Sequence, residues 1–274
     1  MSTRHWFSRI LFTIIVLFLT SAPLPSPARA QQGGDEEHQE VREEHREVPG
    51  LDVIMVIDES ETMWNQTDTE GVRVNTVNLF IDMLSSEQSG AAHRLGIVAF
   101  GTEPIVIPYT LLDSQAAAED LKAQYASVHQ RIQLRKNSQY TDINKALHAA
   151  LAMIEEQSDP DRKSAIVLVS DGQPTAAQVS EEKSRDTVVA YLDETRGLLG
   201  QLRDYPYEHS VCPSPKGAPL YMVGIGVDKL AESSSPDFIA LYREFWQGAA
   251  SRAGGYYKEA GQVQEMQGIS TYIF

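Results

Sequence analysis

The chain has 274 residues, enough for one large domain or two small ones, and a formal charge of −15 at pH 7. An acidic balance of that size suits neither nucleic acid nor an anionic membrane surface as a partner. A single cysteine, Cys212, excludes a fold tied together by internal disulfides, so a hydrophobic core must hold it and the thiol is expected to stay free.

The first thirty residues read as a targeting segment. Arg4 and Arg9 flank a short polar start, and Ile10 to Leu19 is a mostly apolar run. A proline-rich stretch (Pro23, Pro25, Pro27) then ends in Ala28-Arg29-Ala30, a small-x-small cleavage pattern. That order predicts a secretory signal peptide over 1–30 and a mature chain that begins at Gln31, secreted or extracytoplasmic. The apolar run falls short of the ~20 residues that span a bilayer, and the mature chain is expected to have no membrane span. The segment carries Arg4, Arg9 and Arg29 and no acid, so its removal takes the formal charge from −15 to −18. Residues 31–50 have no apolar periodicity. Asp35, Glu36, Glu37, Glu40, Glu43, Glu44 and Glu47 face only Arg42 and Arg46, which makes a solvated acidic spacer closed by Pro49-Gly50. His38 and His45 lie in this tether and are expected to be exposed rather than to hold a metal.

From Leu51 onward strands and helices alternate, and one domain is expected over 51–274. Asp52 to Ile57 is a near-continuous apolar run, the mark of a parallel strand buried on both faces. A helix with Val74, Val77, Phe80, Ile81 and Leu84 on one face follows, then a strand over Leu95 to Phe100. A short strand over Pro104 to Pro108 belongs at a sheet edge, because proline cannot donate to a ladder. A helix near 114–126 and a polar loop lead to Ile143, Ala146, Leu147, Ala150, Leu151 and Ile154, spaced as a strongly amphipathic helix. Ala165 to Ser170 is a buried strand that Asp171-Gly172-Gln173-Pro174 breaks. A long helix over roughly 178–203 turns Val188, Leu192, Leu199 and Leu202 inward. After a Tyr-, Pro- and Gly-rich loop at 205–219 come a strand over 220–227, a helix over 237–252, a strand over 255–258 and a closing helix over 261–273. The pattern predicts an α/β fold: a doubly wound, mostly parallel sheet with one antiparallel edge strand and helices on both faces.

Ligands of open α/β sheets sit beyond the carboxyl ends of the strands. There this chain places Asp58, Ser60 and Thr62 after the first strand, Thr141 and Asp142 before the strongest helix, and Asp171-Gly172 after the fourth strand. Asp, Ser and Thr also serve as ordinary turn and cap residues, but here three loops bring them to one sheet edge. The set is all oxygen, with no His or Cys, which suits a hard cation rather than zinc.

Asp-x-Ser-x-Thr after strand one, a threonine before the middle helix and Asp-Gly after strand four resemble the metal-ion-dependent adhesion site of von Willebrand factor type A domains. The likeness extends over 51–274, including Gly224-x-Gly226 and the late Gly-Gly-Tyr-Tyr. It implies a metal set of Asp58, Ser60, Thr62, Thr141 and Asp171, and Mg²⁺, or Mn²⁺ or Ca²⁺, as the ion. Ser60, Thr62 and Thr141 would offer hydroxyl oxygens, with Asp58 and Asp171 acting through water or exchanging into contact. An ion so weakly neutralised keeps a position for a partner's Asp or Glu carboxylate. The resemblance therefore implies a metal-dependent protein-binding domain that is not an enzyme. Thr62 stands where the family often has serine. Asn65 and Gln66 replace the acidic pair of integrin-like members, which argues against a second adjacent metal. Glu59 and Glu61 alternate with the ligands and are expected to face solvent or to lie behind the ligand shell. Trp64 fits either an exposed anchor or a side chain packed under the first loop.

Rival readings fare worse on the residues. No Gly-x-Gly-x-x-Gly follows the first strand, and Ser60 is flanked by glutamates with no Gly-x-Ser-x-Gly around it. A haloacid-dehalogenase-like phosphatase would use Asp58 and Thr62 but needs a carboxylate at position 60. His93, His129, His148 and His209 are scattered, with no base–nucleophile pair. The main alternative is a structural or regulatory subunit whose metal only stabilises the fold.

Overall fold

A computed structural model describes residues 50–86, 92–134, 139–157, 159, 162–178, 185–204, 217–232 and 235–260. The expected signal peptide, the spacer up to Pro49, Cys212, the 205–216 loop and the closing helix over 261–273 lie outside the described residues.

Strand β1 (Leu51–Asp58) lies at the centre, with β2 (His93–Phe100) on one side and β4 (Lys163–Ser170) on the other, both parallel to it. Strands β5 (Leu220–Ile225) and β6 (Tyr256–Ala260) extend the sheet beyond β4, again in parallel. Strand β3 (Pro104–Leu112) runs antiparallel along β2 and closes the other edge. The order of the six strands is β3-β2-β1-β4-β5-β6, the doubly wound sheet with one antiparallel edge that the sequence pattern predicts.

The residues of β1 explain why the sheet is covered twice. Val53, Met55 and Ile57 are buried against α1 (Val72–Ser86) and α2 (Gln115–Leu134). Ile54 and Val56 are buried on the opposite face, which α3 (Ile143–Gln157), α4 (Arg185–Asp204) and α5 (Pro236–Arg252) cover. Strand alternation sends successive side chains to opposite faces, so a run with no polar interruption needs helices on both.

Several boundaries differ from the sequence expectation, each for a local reason. Helix α2 continues to Leu134 because Leu121, Tyr125, Val128 and Ile132 keep helical spacing and are all buried. Strand β3 runs on to Leu112 because Pro108 sits in a bulge: Leu95 pairs with Thr110 and Ile97 with Ile107, so Pro108 and Tyr109 together oppose Gly96. Pairing resumes past the proline. Among the described residues helix α4 spans Arg185–Asp204 and Thr175–Gln178 forms a single turn, while 179–184 of the expected helix lie outside the described residues. Strand β5 stops at Ile225 because Gly226 turns the chain at φ +63°, where a Cβ would lie 2.1 Å from the Thr67 carbonyl oxygen.

At the amino ends of the strands, Asp52 is fully buried and takes both Arg94 and Arg162, the latter at 2.6 Å. Arg162 also donates to the carbonyls of Leu51 and Ala92. This end is closed by an ion cluster, and the open chemistry lies at the carboxyl ends.

Candidate metal centre

Asp58 is the last residue of β1 and faces the α3 side of the sheet, continuing the alternation of Ile54 and Val56. Its carboxylate is closed to solvent. One oxygen accepts the Ser60 backbone N–H at 2.9 Å, and the other accepts the Ser170 hydroxyl at 2.6 Å. The Ser60 Oγ and Thr62 Oγ1 atoms lie 3.0 Å apart. Asp171, immediately after β4, is equally buried. Its Oδ1 accepts the Gln173 N–H at 2.9 Å and its Oδ2 the Thr67 hydroxyl at 3.3 Å. Gly172 adopts φ +82°, and its carbonyl accepts Trp246 Nε1 at 3.1 Å. A Cβ there would meet that indole nitrogen at 2.9 Å, so the turn at Asp171 needs glycine both for its dihedral and for its close approach to Trp246.

Thr141 is tied through its backbone to the segment that follows Asp171. Its N–H donates to Thr175 Oγ1 at 2.6 Å, and its carbonyl accepts the Ala176 N–H at 3.2 Å. The next residue, Asp142, donates its N–H to the Gly101 carbonyl at the end of β2. The Thr141 side chain is fully buried, yet its hydroxyl has no hydrogen-bond partner among the described residues. A buried hydroxyl without a partner costs ~1–3 kcal/mol.

Burial pushes the Asp58 carboxyl up to about 7, the nearby charge of Asp171 adds to the rise, and the hydrogen bonds from Ser170 and Ser60 only partly offset it. Burial likewise pushes Asp171 up to about 6, against the Gln173 N–H, the Thr62 and Thr67 hydroxyls and the charge of Arg73. Two carboxylates in this volume therefore lack countercharge. Together with the orphaned Thr141 hydroxyl, that is what a hard divalent cation would relieve, and the donor chemistry fits one. Among the described residues no group of three or more His, Cys, Asp and Glu side chains could hold a metal, which leaves the carboxylate–hydroxyl set as the candidate.

Of the two places expected for Glu59, at the solvent or behind the ligands, the solvent one does not hold. Glu59 is fully buried on the α1/α2 face, where Val53, Met55 and Ile57 already point, because its N–H still bonds the Phe100 carbonyl and extends the strand alternation by one residue. There it takes Arg73 Nε at 3.0 Å, the Tyr125 hydroxyl at 2.7 Å and His129 Nδ1 at 2.9 Å. Burial alone would raise Glu59, but the His129 hydrogen bond, the Arg73 charge and Tyr125 hold it below the ordinary range. Arg73 also binds Asp68, whose carboxylate accepts the N–H groups of Val72 and Arg73 at the start of α1. Trp64 takes the packed role: its Nε1 donates to the Glu59 carbonyl, and its ring stacks on His129 at 4.3 Å with the Arg73 guanidinium 4.5 Å from its centroid. Glu61 is exposed and accepts from Asn65.

The sequence reading left out Thr67, Ser170 and Thr175. Ser170 carried a signal, as the one polar residue at the end of the apolar run Ala165–Val169. Thr175 follows the Asp-Gly-Gln-Pro break, but nothing in its spacing points to Thr141.

Residues 53–173 match the family model for the von Willebrand factor type A domain. The described residues have the von Willebrand factor type A fold. No curated protein matches the sequence. Among solved structures, the chain resembles the pilus adhesin SpaC from Lactobacillus rhamnosus GG in its open conformation (TM-score 0.55, 14% identity, 81% of this chain and 29% of that one). It also resembles the PilB minor pilin from Streptococcus sanguinis (TM-score 0.52, 12% identity, 82% of this chain and 61% of that one). A third is the pilus adhesin RrgA from Streptococcus pneumoniae (TM-score 0.50, 12% identity, 82% of this chain and 44% of that one). The chain thus spans less than two thirds of each, and at these identities the likeness is one of fold. No helix among the described residues is long and apolar enough to cross a membrane.

Proposed function

We propose that this chain is an exported, non-enzymatic binding domain that holds one divalent cation, Mg²⁺ or Mn²⁺, and uses it to capture an Asp or Glu carboxylate of a protein partner. The ion would be held by Asp58, Ser60, Thr62, Thr141 and Asp171. The observation that carries this reading is the pair of solvent-free carboxylates, Asp58 and Asp171, together with the unpartnered buried hydroxyl of Thr141, whose peptide is bonded to Thr175 and Ala176 on the segment that starts at Asp171. When bound, the cation would supply a positive centre with room for one more oxygen. The chain's own part is to fix the donors. Ser60 N–H and Ser170 orient Asp58, Gln173 N–H and Thr67 orient Asp171, and Thr175 with Ala176 holds the Thr141 peptide. Because three of the five donors are neutral hydroxyls, the two carboxylates only just balance a bound ion, which keeps a coordination position for an incoming anionic oxygen. The pilus-adhesin neighbours agree with a surface binding role, and the order of residues 1–30 supports export.

The test is calorimetric titration of the metal-stripped protein with MgCl₂ and MnCl₂, followed by capture on beads carrying Asp- or Glu-containing peptides, with Mg²⁺ and with chelator. One site per chain and chelator-sensitive peptide capture are expected. Metal uptake that raises the melting temperature without any carboxylate-dependent capture would instead favour a purely structural ion.

A further inference from the structure

We propose that Thr175 is a positioning residue for the metal centre: its hydroxyl sets the Thr141 peptide at a fixed place relative to Asp171. The inference rests on the metal reading above. Thr141 is the one proposed donor whose side chain has no partner, yet both polar groups of its backbone are taken. Both partners, Thr175 Oγ1 and the Ala176 N–H, come from the arm that leaves β4 at Asp171. That arm is held in turn. The Gly172 carbonyl accepts Trp246 Nε1, the Gln173 N–H folds onto Asp171 Oδ1, and Pro174 restricts the backbone just before Thr175. One short segment therefore carries a carboxylate at its start and grips the loop of the third hydroxyl at its end. Side-chain oxygens must be pre-placed within a few tenths of an ångström for a small cation to gain from all of them, so a slack Thr141 loop lowers affinity even when every donor is present.

Thr175→Val keeps the shape and removes the hydroxyl that Thr141 N–H uses, whereas Thr175→Ser keeps it. Leu84→Ala, a core truncation at the far end of α1, controls for general loss of stability. With full-length protein and MnCl₂ titrated by calorimetry, Thr175→Val should weaken binding about tenfold, the equivalent of one lost hydrogen bond at the site. Thr175→Ser should bind nearly as the wild type does, and Leu84→Ala should melt lower with its affinity kept. Wild-type affinity in Thr175→Val overturns the inference alone, as does a Thr175→Ser as weak as the valine variant. A parallel loss of affinity in Leu84→Ala, or a Thr175→Val chain that does not fold, assigns the hydroxyl to stability and also overturns it. A wild type that binds no Mn²⁺ overturns the metal reading itself.

Discussion

Ser170 donates its hydroxyl to Asp58 at 2.6 Å across the seam between β4 and β1, and the residue after Ser170 is Asp171. The same two strand ends that form the middle of the sheet thus deliver both carboxylates of the proposed site, and a serine between them offsets part of the cost of burying the first. The cost left over is available to a cation.

Asp171→Asn removes that charge without changing the volume. Metal binding should be lost, since the proposed donor set keeps only one carboxylate. The metal-free protein should melt no lower than the wild type at pH 8, because a buried, uncompensated charge has gone. Calorimetry with MnCl₂ and thermal melts of the stripped protein read both effects. Unchanged affinity would remove Asp171 from the site.

Glu59→Ala should act on stability instead. It leaves the Arg73 guanidinium buried with Asp68 as its remaining acidic partner and strips Tyr125 and His129 of their acceptor. Breaking a buried ion pair by removing one side costs about 3–5 kcal/mol. Urea denaturation should show a loss of that size. A loss under 1 kcal/mol would mean that solvent reaches this cluster.

The fold was legible because its signals are collective. The apolar run of β1, the heptad-like spacing of α3 and the two prolines of β3 each report burial averaged over many residues. The candidate site was legible to the extent that its residues sit at strand ends in chain order. The environment of each side chain was not. Asp58 and Glu59 are adjacent in sequence and both carboxylates, yet one belongs to the proposed metal cluster and the other to an ion network beneath Trp64. Only the continued pairing of Glu59 with Phe100 decides which face each takes. Thr175 was invisible for a related reason: its contact with Thr141 spans loops that no periodicity connects.

Gly226→Ala should be among the most damaging single-methyl additions. The new Cβ would sit 2.1 Å from the Thr67 carbonyl oxygen at a positive φ that alanine disfavours. Thr67 is also a hydroxyl donor to Asp171, so displacement of its backbone should reach the site. A loss of about 2 kcal/mol or more, with weaker Mn²⁺ binding, is expected from urea melts and calorimetry. A variant as stable as the wild type would show that the helical turn over Met63–Thr67 gives way freely.

The pH dependence of the metal-free protein follows from the two raised carboxyls. In the unfolded chain Asp58 and Asp171 lose their protons near 3.8, whereas in the folded chain the pair holds them up to about 7 and about 6. Between those limits the folded state binds more protons than the unfolded one, so stability must fall as pH rises. The fall should begin near pH 4 and level off above pH 7, reaching several kcal/mol, on the order of two to three tenfold steps per carboxyl. Saturating Mg²⁺ should reverse it, because the cation binds the ionised pair and stabilises only the folded state. Melts at pH 5 and pH 8, each with Mg²⁺ and with chelator, test both halves. The stripped protein should melt lower at pH 8, and Mg²⁺ should raise the pH 8 melt more than the pH 5 one. A stripped protein that gains stability from pH 5 to pH 8 would mean that Asp58 and Asp171 are already neutralised by the fold, leaving no electrostatic reason for a metal there.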